Sequence, residues 1–191
     1  MIQKLIACLG LCATMVLAAQ DPVALLKTKD QELQTLLKKK SRDGKDNETI
    51  KHLINDIFDF QLLGKKSLPV ATWKGLDDAS RTQFVTDFQR MVENSSVKKL
   101  EVYKADSTRY EPAQTKGTET KVTAHVWNKG KESVLVYRFE QTNGEWRAWD
   151  LIIDDLSTAR NYKDQFTKIL ETKTFSDLLA TIQKKANETT N

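Results

Sequence analysis

At 191 residues and 21.8 kDa the chain has room for one ordinary domain or two very small ones. Its 39% hydrophobic and 29% charged residues are those of a soluble globular protein, and seven Gly with three Pro exclude collagen-like and low-complexity classes. Thirty Lys and Arg against 26 Asp and Glu leave +4, too balanced for a nucleic-acid binder or a polybasic membrane anchor.

The first twenty residues read as an export signal. Met1 to Lys4 is a short basic start, Leu5 to Leu17 is almost purely apolar, and Val16-Leu17-Ala18-Ala19 supplies small residues for cleavage. That apolar run is too short to cross a hydrocarbon core about 30 Å thick, so cleavage is expected after Ala18 or Ala19. Leu5-Ile6-Ala7-Cys8 is superficially like a lipoprotein box, but too few residues precede it. Cys8 and Cys12 both lie inside the signal, so the exported chain offers no disulfide, thiolate or cysteine metal ligand. The expected organisation is signal peptide 1–19, one domain over 20–184 and a polar tail over 185–191.

No repeat or Gly-, Pro- or Ser-rich linker divides the remainder. Asp21-Pro22 pairs an N-cap with proline at the first helical position, and Val23, Leu26, Leu33, Leu36 and Leu37 carry helix one to the charged run 38–46. From Asn47, Ile50, Leu53, Ile54, Ile57 and Phe58 recur at steps of three and four, and Phe60, Leu62 and Leu63 extend the face of this second helix. After a short segment ending near Trp73, Asp77 caps a helix presenting Phe84, Val85, Phe88, Met91 and Val92. Alternation then predicts four antiparallel strands, over 100–102, 122–126, 134–139 and 146–153. Helical spacing returns with Ala159, Tyr162, Phe166, Ile169 and Leu170, and Phe175, Leu178, Leu179 and Ile182 make a last helix. The predicted fold class is α+β, with helices packed on one face of a curved antiparallel sheet of about four strands.

Asn143-Gly144 suits a type I′ hairpin, and Lys129-Gly130 is a weaker signal of the same kind. Two-residue loops make facing residue numbers sum to 287 in the last hairpin and to 259 in the preceding one. One sheet face then collects Val122, Ala124, Val126, Leu135, Tyr137, Phe139, Trp146, Ala148 and Ile152, with Asp150 its only charge. The other carries Lys121, His125, Trp127, Val134, Val136, Arg138, Trp149, Leu151 and Ile153. The first face can be a packed core or the wall of a ligand cavity, and Ala124 and Ala148 are small enough to leave room.

Catalytic chemistry has little to work with. His52 and His125 lack metal-ligand spacing and suit structural roles, and no phosphate loop or nucleophile elbow is present. Asp77-Asp78 and Asp154-Asp155 read as a helix cap and a strand-end turn. Asp150, opposite Tyr137 on the apolar face, needs a hydrogen-bond partner. It fits a structural bond or, alternatively, the base of a cone-shaped α+β isomerase or cyclase, and a non-catalytic periplasmic interaction module is a third reading.

Trp146-Arg147-Ala148-Trp149-Asp150-Leu151-Ile152-Ile153-Asp154-Asp155-Leu156-Ser157, followed by Asn161-Tyr162-Lys163-Asp164-Gln165-Phe166, resembles the signature of the MlaC-type periplasmic phospholipid carriers, the toluene-tolerance family. Upstream, Phe58-Asp59-Phe60, Ser67-Leu68, Trp73-Lys74 and Phe84 to Phe88 follow that family's helical half in order, so the resemblance covers roughly residues 22–182. Three positions depart from it: Asp155 stands where Gly is usual, Trp149 where Tyr is usual, and Pro69 where Gly commonly follows the Leu. A glycine at 155 would tolerate positive φ better.

The resemblance implies a cone-like fold around an internal apolar cavity that holds phospholipid tails. Its expected lining is Phe84, Phe88, Val122, Ala124, Val126, Leu135, Tyr137, Phe139, Ala148 and Ile152, with Trp146, Asp150, Ser157, Tyr162 and Phe166 as a structural motif. It further implies a periplasmic carrier rather than an enzyme, needing no cofactor or metal. The implied partners are phospholipid, an inner-membrane ABC transporter with its periplasmic substrate-binding subunit and an outer-membrane lipoprotein-porin complex, with no nucleic acid.

Overall fold

The computed structural model describes residues 21–98 and 103–188. The expected export signal, both cysteines and the strand expected at 100–102 lie outside the described residues. α1 (Pro22–Leu37) begins as its sequence predicts, with the Asp21 carboxylate accepting the Ala24 amide at 3.2 Å. α2 (Gly44–Ile57) starts at a reciprocal capping box between Asp43 and Asp46.

The expected second helix does not continue into Phe60. Phe58 is extended and bridges to Ala148, and Asp59 caps a separate α3 (Phe60–Lys66) by accepting the Leu62 amide at 2.8 Å. The apolar stripe is continuous, but an aspartate positioned to cap offers the backbone a new start. α3 packs closely on α5 (Asp78–Lys98) because Gly64 has no Cβ, which would stand 3.3 Å from the Phe84 ring. The short α4 (Val70–Gly75) lies between them in sequence.

The sheet has six strands: β1 (Ser107–Tyr110), β2 (Gln114–Lys116), β3 (Glu119–Asn128), β4 (Lys131–Thr142), β5 (Glu145–Ile153) and β6 (Leu156–Ser157). They are antiparallel in the order β1-β3-β4-β5-β6, with β2 also on β3. β1, β2 and β6 are too short for alternation to reveal. Between β3 and β4 the expected register holds from Glu119↔Glu140 to Asn128↔Lys131.

Between β4 and β5 the register holds only from Thr142↔Glu145 to Phe139↔Ala148. A bulge leaves Trp149 as the extra residue, and the pairing resumes as Arg138↔Asp150, Tyr137↔Leu151 and Leu135↔Ile153. A one-residue slip exchanges the faces. Asp150 and Ile152, expected beside Tyr137, therefore join Arg138 on the opposite face, while Leu151 and Ile153 take their places.

α6 (Thr158–Leu170) and α7 (Phe175–Asn187) complete the chain. α7 extends into the expected polar tail because Ala186 is buried and its carbonyl accepts the Asn94 side-chain amide at 2.7 Å. The densest part of the core joins α3, α5, α6 and α7 around Phe84, Phe88 and Phe166, while a second cluster packs Leu26 of α1 on Val122, Phe139 and Ala148.

Candidate functional site

An interior cavity of about 120 Å³ lies where α1, α2, α3 and α5 meet the sheet. The α2 residues Ile50, Leu53, Ile54 and Ile57 form its largest apolar wall, placed there by the three-and-four spacing that makes one side of the helix apolar. Tyr137 and Leu151 close it from the sheet. Leu151 reaches this side only because of the bulge.

One end of the cavity is polar. Its charged lining residues are Lys29 and Asp30, neighbours on α1, with Tyr103 and Tyr110 close by. Asp30, Leu33, Tyr103, Tyr110 and Tyr137 also line a side cavity of about 50 Å³, which the three tyrosines divide from the first. Asp30 and Tyr110 further belong to an outer groove between α1 and β1, so they mark where the interior approaches solvent.

Gln34 fixes that wall. Its amide nitrogen donates to Asp30 Oδ1 at 3.1 Å and to the Tyr103 carbonyl at 2.8 Å, while its oxygen accepts the Ala105 amide at 3.1 Å. Lys29 is drawn to Asp56, 2.7 Å away. Burial, reinforced by the Asp30 carboxylate, pushes the Tyr110 hydroxyl well above its ordinary pKa, and burial does the same to Tyr137 and Tyr103. All three tyrosines thus keep their protons and remain hydrogen-bond donors.

The residues expected to line the cavity are divided by the structure. Tyr137 lines both spaces, and Ala124, Val126 and Leu135 line the side cavity. Val122, Phe139 and Ala148 are instead fully buried against Leu26, as packed core. Phe84 and Phe88 stack at 5.6 Å within the helical core, and Ile152 lines a groove on the other sheet face. The apolar faces of α1 and α2, visible in the sequence as helical stripes, provide most of the wall that face-sorting of the sheet missed.

The motif residues form a joint between sheet and helix. Asp150 is fully buried and accepts from Ser157 Oγ at 2.7 Å and from the Ala159 amide at 2.9 Å. Ser157 in turn caps α6, accepting the Arg160 amide at 3.1 Å. Tyr162 and Phe166 meet Phe88 edge-on at 4.9 and 5.8 Å, and Trp146 packs beside Ala148. Both oxygens of Asp150 are engaged, on the sheet face away from the cavity. His125 sits between Glu132 at 2.7 Å and Glu111 at 2.8 Å, a structural clamp. Among the described residues no acidic, His or Cys cluster could hold a metal ion, and no helix is long and apolar enough to cross a membrane.

An α+β shell enclosing an apolar space with one polar end is the arrangement of a small-molecule-binding fold. Residues 26–184 match the family model described as MlaC protein, so the chain belongs to the MlaC family. It is also similar to the structure of a phospholipid-binding protein from Ralstonia solanacearum in complex with a phospholipid, at 20% identity and a TM-score of 0.74. That likeness covers 87% of this chain and 97% of the other, and it shows a common fold. No curated protein matches the chain.

Proposed function

We propose that the chain is a soluble periplasmic phospholipid carrier. It shuttles lipid between an outer-membrane lipoprotein-porin complex and an inner-membrane ABC transporter with its periplasmic substrate-binding subunit, and so serves outer-membrane lipid asymmetry. The observation that carries this reading is the apolar cavity with a single charged end at Lys29 and Asp30. Exposing an acyl chain to water costs about 0.8 kcal/mol per CH₂, or on the order of 12 kcal/mol for sixteen carbons, so the tail needs an enclosed site. Ile54, Ile57, Tyr137 and Leu151 would hold it, with Ala124, Val126 and Leu135 receiving its end in the side cavity. About 10–15 Å³ of such space admits one water-sized group, so the main cavity admits roughly ten methylenes. Loading a longer tail requires the tyrosine partition or the α1–α2 wall to shift.

Native mass spectrometry of the exported protein before and after organic extraction tests the proposal. A copurifying glycerophospholipid is expected. Lipid-free protein from a phospholipid-rich host, with no uptake from liposomes, would sink it.

A further inference from the structure

A second depression, about 840 Å³, lies on the other sheet face, bounded by α3, α4, the far half of β5 and the start of α6. Seven basic side chains line it against two acidic ones, an excess larger than the +4 of the whole chain, so the remaining surface is close to balanced. Asp150, one of the two acids, is already engaged by Ser157 and Ala159. Lys66, Arg138 and Arg81 are paired with Glu140, Glu119 and Asp78. Lys66 and Arg138 also lie 4.1 and 4.3 Å from the centre of the buried Trp149 ring, which stiffens the inner wall.

Lys65, Lys74, Arg160 and Lys163 remain, with no acidic partner among the described residues. Four like charges around one concavity repel each other and set up a positive field that its low-dielectric walls focus. Apolar surface accompanies them: Ile152 lies in the groove, and Val70 on its rim is 63% exposed. A bilayer is flat and would touch only the rim, whereas a chain segment can enter and bring carboxylates and an apolar side chain together.

We propose that this groove docks an acidic segment of a partner protein, its carboxylates meeting Lys65, Lys74, Arg160 and Lys163 and an apolar side chain resting on Val70 and Ile152. The contact is steered by charge and weakened by salt. It concerns what the outer face meets, independently of what the cavity holds.

A short fluorescent peptide of alternating Glu and Leu serves as the probe, titrated into the exported protein. It is expected to bind, and Lys65→Glu with Lys163→Glu is expected to weaken binding about tenfold. Raising the salt to roughly 0.5 M should weaken it comparably. The Lys65→Gln and Lys163→Gln pair should fall between, with an unchanged melting temperature confirming the fold. Absence of peptide binding, or equal affinity in wild type and the charge-reversed pair, overturns the proposal. Flotation of the wild type with phosphatidylglycerol vesicles, abolished by charge reversal, also overturns it by assigning the groove to a bilayer. Lipid extracted from the same samples reads the cavity separately, so failure of the carrier reading is recognised without touching this one.

Discussion

The helical core and the cavity use aromatic residues in opposite ways. Among α3, α5, α6 and α7, Phe84, Phe88, Tyr162 and Phe166 interlock with ring centroids 4.9 to 6.0 Å apart, edge-on or stacked, and fill the space between helices. Beneath α1 and α2, Tyr103, Tyr110 and Tyr137 stand as partitions between two unfilled spaces. At the cavity the hydroxyl of Tyr110 meets a polar neighbour, Asp30, whereas the core rings, Tyr162 included, are held by packing on one another. Stability is concentrated in the first region and capacity in the second.

That division can be broken by substitution. Phe88→Ala should cost the most, about 3–5 kcal/mol in urea unfolding, with lipid per folded molecule unchanged. Ala148→Trp should destabilise by roughly 1–3 kcal/mol or more, because Ala148 is sealed against Leu26, Val122 and Phe139. Ile54→Trp, which projects into the cavity, should change stability by less than about 1 kcal/mol yet abolish lipid copurification. If Ile54→Trp unfolds the protein while Ala148→Trp merely loses lipid, the packed and open regions have been exchanged.

Two smaller effects sharpen the picture at the sheet. Asp155 has φ +69°, following Asp154 at +46°, so Asp155→Gly should stabilise by about 0.5 kcal/mol, measured by thermal melting. The hydrogen bonds to Glu111, then to Glu132, raise the His125 pKa above its usual value. Its folded pKa therefore exceeds the unfolded value of about 6.5, so its contribution is complete below that pH and fades as pH rises through the folded pKa. The melting-temperature difference between wild type and His125→Gln should accordingly shrink from acid to mildly alkaline buffer.

Much of this was legible in the chain. Lys129-Gly130 and Asn143-Gly144 placed both hairpins, and the pairing from Glu119↔Glu140 to Asn128↔Lys131 follows from turn chemistry alone. Strict alternation carries no mark of an inserted residue, so it sets Ile152 on the side that Leu151 takes. A trace of the insertion was nevertheless present: a lone Asp150 on an otherwise apolar face, with Leu151 and Ile153 on the mixed one, is what a slipped strand looks like. α2 showed its apolar stripe plainly, but a stripe does not say whether its partner is packed side chains or space. The polar end at Asp30 and Tyr110 gave no local signal, since it arises from residues eighty positions apart brought together by folding.

The bulge at Trp149 makes β5 a strand of two parities. Even-numbered residues, Trp146 and Ala148, face the helices before it, and odd-numbered ones, Leu151 and Ile153, face the cavities and α1 after it. One extra residue thus allows a single strand to seal a core at its beginning, wall a cavity at its end and hold the α6 joint on its reverse. Deleting Trp149 would restore one parity throughout and carry Asp150 beneath the helices, away from the Ser157 hydroxyl and the Ala159 amide that now satisfy it. The position therefore tolerates exchange of one side chain for another better than it tolerates a change in count.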